Sequence, residues 1–146
     1  EEDARTLRPL PMPLSPRFGD ETICLHGAYR SDRLSGAIAV PIYQSAAYEF
    51  ESPGHTADVF ACRTDGNTYS RIMNPTTDIL EQRMALLDRG AGALAVASGQ
   101  AAISTAILNI TMAGDNVVSS TDLYGGTWQL LHTTLGRLGI ETRFAR

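Results

Sequence analysis

Apolar positions recur at helical spacing in two stretches of the chain and as short continuous runs in three others. Leu80, Met84 and Leu87 lie four and three apart after Asn74-Pro75, a capping residue followed by a proline suited to the first helical position. With Gly90 just beyond Arg89 as a stop, the pattern predicts a helix from Pro75 to about Arg89. The run Ala93 to Ala97 predicts a buried strand that breaks at Ser98-Gly99 and resumes as a small-residue helix from about Gly99 to Ile110. Asn116 to Ser119 predicts a second strand. Trp128, Leu131, Leu135 and Leu138 predict a further helix, Gly139 its end, and Ile140 to Phe144 a third strand. The order β-α-β-α-β implies parallel pairing with right-handed crossovers, hence an α/β sheet carrying helices on its faces.

The first half is less regular. Pro9, Pro11, Pro13 and Pro16 block helix within residues 1 to 20 and favour an exposed, partly disordered arm. From Glu21 to Tyr29 and from Ala37 to Phe50, short apolar pieces keep no sustained period, so this segment is expected to pack on something else. Ser52-Pro53-Gly54 starts a turn, and His55 to Cys62 reads as one short helix before the loop Arg63 to Asn67.

Composition narrows the function classes. The 146 residues suit one ordinary domain, and no apolar run approaches the length of a membrane span. Sixteen acidic against twelve basic residues leave a net charge of −4 without a basic cluster, which argues against nucleic acid as a partner. The N-terminus lacks the apolar core of a secretory signal, and Cys24 and Cys62 form neither a disulfide framework nor a metal-ligand spacing; the expected compartment is the cytoplasm. All twelve basic residues are arginine, so chemistry that needs a side-chain amine has no lysine here.

Candidate chemistry gathers at strand ends. A helix starting at Gly99 would aim unpaired N–H groups and the positive end of its dipole past Ser98, Gly99 and Gln100, a setting that favours a phosphate. Taken alone, the small residues of that turn are better explained by close helix–sheet packing. The loop Thr121 to Gly126 should reach the same sheet edge, where open α/β sheets collect ligands. Its Tyr124, next to Gly125-Gly126, either lies on a planar ligand or covers the sheet edge. Tyr69-Ser70-Arg71 offers a phenol and a guanidinium on a short loop, which is either a phosphate clamp or ordinary surface. His26, His55 and His132 are dispersed, so no metal site is expected, and ASGQA lacks the glycine of a nucleophile elbow two residues before Ser98.

Three motifs in order, YSRIMNPTTDILEQR, ASGQAA and SSTDLYGGT, resemble the pyridoxal-phosphate enzymes of cysteine and methionine metabolism, the transsulfuration family. The likeness extends through Thr22 to His26 and Ala39 to Gln44, covering about Glu21 to Arg146. The resemblance implies the N-terminal portion of a fold-type I, aspartate-aminotransferase-like large domain. Residues 1–66 would form an arm and subunit-contact segment, and 67–146 the first part of the domain that binds pyridoxal 5'-phosphate. It assigns the cofactor phosphate to Ser98, Gly99 and Gln100, ring stacking and proton movement to Tyr124, and the phosphate of a neighbouring subunit's site to Tyr69 and Arg71. The implied assembly is a homotetramer of two dimers.

Gln100, NPTTDILEQR and LYGGT are most similar to the O-acetylhomoserine sulfhydrylases, which implies γ-replacement by sulfide or a thiol. Methionine γ-lyase and cystathionine γ-synthase chemistry are the alternatives within the family. The resemblance also requires a lysine, an aspartate and a substrate-binding arginine that should lie beyond Arg146, so the chain is expected to be part of a longer enzyme. The reading from another class is a non-catalytic fragment that binds cofactor or subunits.

Overall fold

The computed structural model describes residues 18–31 and 35–145; the proline-rich stretch through residue 17 lies outside them. The chain divides into two compact units, Glu1–Ala95 and Val96–Arg146.

In the first unit, α1 (Asp20–His26), α2 (Pro53–Phe60) and α3 (Pro75–Leu87) are the regular elements. Helix α1 has no counterpart in the hydrophobic pattern, because only Ile23 of its seven residues is buried. It exists by packing: Ile23 and Ala28 sit against Leu86 of α3, and Arg83 Nε donates to Gly27 O at 3.0 Å. Gly27 permits the tight exit, since a Cβ there would lie 2.6 Å from Ile23 O. Helix α3 starts at the predicted cap but buries Ala85 and Leu86, whereas Leu80 is 53% and Met84 43% exposed. Its end is a Schellman closure, Gly90 N–H to Ala85 O at 2.8 Å, with the left-handed position at Arg89 (φ 53°) rather than at the glycine. The irregular segment before α2 packs on the start of α3 through hydrogen bonds. Thr76 Oγ1 donates to Pro41 O at 3.0 Å and accepts from Tyr43 N–H at 2.9 Å, and Ala47 forms an antiparallel bridge with Tyr69.

The second unit contains α4 (Gly99–Ile110), β1 (Asn116–Ser120), α5 (Gly125–Gln129), α6 (Leu135–Arg137) and β2 (Glu141–Ala145). The strands pair in parallel, Asn116 opposite Glu141 through Ser120 opposite Ala145, as the alternation of elements predicts. Val117, Ser119, Thr142 and Phe144 are half-buried while Val118 is 68% exposed, so one sheet face is covered. The core is Leu131, Leu135 and Ile140, joined by Ile107, Val117, Leu123, Leu130 and Phe144.

The predicted helix around Trp128 begins earlier, at Gly125, and contains a π-helical turn, Leu130–Thr134, between α5 and α6. That turn breaks the regular three-four-three stripe, so Leu131 and Leu135 are buried while Leu138 is 49% exposed. Thr142 Oγ1 donates to Leu131 O at 2.9 Å, tying the π turn to β2. Gly139, at φ 80°, ends the rod with Ile140 N–H bonded to Leu135 O at 2.9 Å.

One predicted element is absent. Ala93 to Ala97 forms no strand, because the sheet among the described residues consists of β1 and β2 alone and neither pairs with it. Leu94 is consequently 68% exposed, and the Ala95 N–H is taken by the Glu81 carboxylate at 2.8 Å. No helix among the described residues is long and apolar enough to cross a membrane.

Candidate functional site

The turn into α4 is built by Ser98. Its backbone is extended (φ −161°, ψ 161°), its Oγ accepts from Ala101 N–H at 3.1 Å, and its carbonyl accepts from Ala102 N–H at 3.0 Å. The cap therefore satisfies the second half of the first turn and leaves the Gly99 and Gln100 N–H groups without a partner among the described residues. A Cβ on Gly99 would meet nothing within 4 Å, so the turn faces open space on that side. Two free donors at the positive end of a twelve-residue helix can hold an anion.

Tyr124 occupies the position preceding α5, where its carbonyl accepts from Thr127 and Trp128 N–H at 2.9 and 3.0 Å. Those bonds pin the backbone while the ring stays 78% exposed. Gly126 brings this loop to α4: a Cβ there would fall inside contact distance of Gln100 Nε2 and 2.8 Å from Tyr124 Cε1. Of Ser98, Gly99, Gln100 and Tyr124, all in the second unit, the Gln100 side chain and the Tyr124 ring meet at one glycine. Gln100 Oε1 is buried without a partner among the described residues. The sequence pattern pointed to these four residues but not to Gly126 as the point of approach; the Gly125-Gly126 pair was its only signal.

Tyr69 and Arg71 belong to the first unit. Tyr69 O accepts from Ile72 and Met73 N–H at 2.9 and 3.0 Å, which curls the chain toward α3 and sets Arg71 Cζ 5.1 Å from the centre of the Tyr69 ring. No carboxylate pairs with Arg71 among the described residues, so its guanidinium remains able to take an anion. The residue between them, Ser70, donates its hydroxyl to Ser45 O and accepts from the Asn74 amide at 2.9 Å. This anchoring of the loop by Ser70 and Asn74 has no local sequence signal, because Ser45 lies 25 residues away.

An O-acetyl-L-homoserine sulfhydrylase of Leptospira meyeri is 50% identical over 127 residues, 87% of this chain and 29% of that protein. Among solved structures, an O-acetylhomoserine (thiol)-lyase of Campylobacter jejuni carrying a pyridoxyl-lysine monophosphate is 47% identical, with a TM-score of 0.82 over 87% of this chain and 30% of that one. A cystathionine gamma-lyase of Lactobacillus plantarum is 32% identical, with a TM-score of 0.75 over 88% and 31% of the two chains. The chain thus spans about 30% of the length of the relatives it matches, and its fold is that of the N-terminal portion of fold-type I enzymes. Residues 21–146 match the sequence profile of the Cys/Met metabolism PLP-dependent enzymes, and the chain belongs to that family.

Proposed function

We propose that this chain is the cofactor-anchoring part of an enzyme that replaces the acetate of O-acetylhomoserine with sulfide, giving homocysteine, or with a thiol, giving a thioether such as methionine. The observation that carries the reading is the start of α4, where two N–H groups have no partner among the described residues and the Gln100 side chain meets the loop of an exposed tyrosine at Gly126. The residues fit pyridoxal phosphate. The donors suit its phosphate, the Tyr124 face suits its ring, and the space over Gly99 and Gly125, where an added Cβ meets nothing within 4 Å, leaves room for both.

When bound, pyridoxal phosphate supplies an electron sink that acidifies hydrogens near the substrate amine. Ser98, Gly99 and Gln100 hold the phosphate end, and Tyr124 fixes the ring plane while its phenol oxygen holds and passes a proton. Tyr69 and Arg71 donate to the phosphate of a neighbouring subunit's site in a homotetramer of two dimers. In the overall exchange the Cγ–O bond breaks with its electron pair leaving on acetate, and a sulfide lone pair forms the Cγ–S bond. The chain contains no lysine, so covalent attachment of the cofactor falls to a residue outside these 146. The enzyme works in the cytoplasm. Greater similarity to the sulfhydrylases than to the lyase favours replacement over elimination.

The test uses the full-length protein loaded with pyridoxal phosphate and supplied with O-acetylhomoserine, O-succinylhomoserine or methionine, with and without sulfide. Homocysteine and acetate in equal amounts, dependent on sulfide, are expected from the first substrate. Turnover of methionine without sulfide would replace this reading with a γ-lyase, and failure to take up the cofactor would leave a non-catalytic subunit-binding piece.

A further inference from the structure

Gln100 points its side chain toward the loop that carries Tyr124. The Gln100 Nε2 atom and the Tyr124 Cε1 atom both crowd the one position at Gly126 where a side chain would begin. Gly126 lies inside α5, and its φ is not in the left-handed region, so backbone conformation alone does not demand glycine there. Ordinary helix propensity would in fact favour alanine. What resists a side chain there is the approach of the amide tip and the ring edge to that one position.

The amide is also held without full satisfaction: Oε1 is buried and has no partner among the described residues. A glutamine kept in such a place for packing alone would be replaced at no polar cost by an apolar side chain of the same length. Its contact is with the loop of the aromatic residue that the proposed function uses.

We infer that the Gln100 side-chain amide is a positioning residue that sets the Tyr124 ring through the bare Cα of Gly126. This goes beyond the backbone role of Gln100 at the phosphate and rests on the proposed cofactor reading for its consequence, though not for the contact itself. The far end of Gln100 is flexible, so a methyl group at 126 is accommodated by displacing the amide and the ring edge, not by unfolding the loop. The effect therefore falls on the ligand site.

The experiment is a double-mutant cycle in the full-length protein with Gly126→Ala, Gln100→Ala and the pair. It reads pyridoxal phosphate affinity, the circular dichroism of the bound cofactor band, and the melting temperature of the cofactor-free protein. Gly126→Ala alone should weaken cofactor affinity about tenfold and change the dichroism at saturation, because the ring is displaced. Adding Gln100→Ala should recover part of the lost affinity and raise the melting temperature above that of Gly126→Ala, since the nearer of the two contacts on the new methyl group is gone while the Tyr124 ring edge remains. Gln100→Met, which keeps the length without the amide, should retain affinity more nearly than Gln100→Ala while still altering the dichroism. Strict additivity of the two changes in affinity and melting temperature would overturn the inference. A parent protein that takes no cofactor would overturn the functional reading instead, and the cofactor-free melting cycle would still decide the contact, coupling upholding it and additivity refuting it.

Discussion

The starts of α3 and α4 follow the same capping rule and differ in what they leave open. At α3 the Asn74 side chain is fully engaged: Oδ1 takes Thr76 N–H at 2.9 Å, while Nδ2 donates to Tyr43 O and Ser70 Oγ at 2.9 Å, with Tyr48 Oη at 3.2 Å. Pro75 has no N–H to offer. At α4 the Ser98 hydroxyl takes the Ala101 N–H, and the two donors before it, Gly99 and Gln100 N–H, have no partner among the described residues. The first helix end engages its cap side chain with four partners and leaves one donor, Thr77 N–H, without a partner among the described residues, whereas the second leaves two. A capping motif thus locates a helix boundary without deciding whether that boundary is filled by the chain or left for a ligand.

The contrast extends to the units around each helix. The second unit is held by an apolar core, so the largest effect is expected from Leu135→Ala, which empties a fully buried site and should cost about 2–5 kcal/mol in denaturant unfolding of the full-length protein. A loss much smaller than this would mean that the core of the second unit is not what holds it.

Asn74→Ala removes a cap and its amide donors together, for about 2–3 kcal/mol, with Asn74→Asp, which keeps the cap, falling between mutant and parent. Ser98→Ala should cost less, about 1 kcal/mol, since only the Ala101 N–H loses its partner. Equal losses at Asn74 and Ser98, measured by the same unfolding curves, would erase the distinction between the two helix starts.

The smallest effect is expected at the exposed pair on β2. Two hydrogen bonds from Arg143, at 3.1 Å each, and then its charge hold the Glu141 carboxyl below its ordinary 4.5. A depressed carboxylate stabilises the fold above its unfolded value, and that contribution is lost as pH falls through the lower folded value. The melting temperature of Glu141→Gln should therefore lie slightly below the parent at neutral pH and meet it in acid. A gap that widens on acidification would contradict the pairing.

Much of this fold is legible along the chain because its signals are local. Asn74-Pro75 starts a helix at the expected residue, Ser98 caps α4, and the parallel pairing of β1 with β2 follows from the alternation of elements. Misreadings arise where a long-range partner decides. Helix α1 depends on Leu86, some sixty residues away, the stripe of Leu80 and Met84 yields burial to Ala85 and Leu86, and Ala93 to Ala97 lacks the neighbour that would make it a strand. The candidate site divides in the same way. Ser98, Gly99, Gln100, Tyr124, Tyr69 and Arg71 are visible as residue types in motifs, whereas the approach of Gln100 to Gly126 and the anchoring of Ser70 by Ser45 are not.

Periodicity and capping sufficed for the starts of α3 and α4 and for the parallel pairing, since backbone hydrogen bonds and side-chain period act within a few residues. Packing alone selected which apolar face is buried, drew the Asn74 cap into contacts that Ser98 lacks, and crowded the position at Gly126. Each of those outcomes depends on atoms that only folding brings within contact distance.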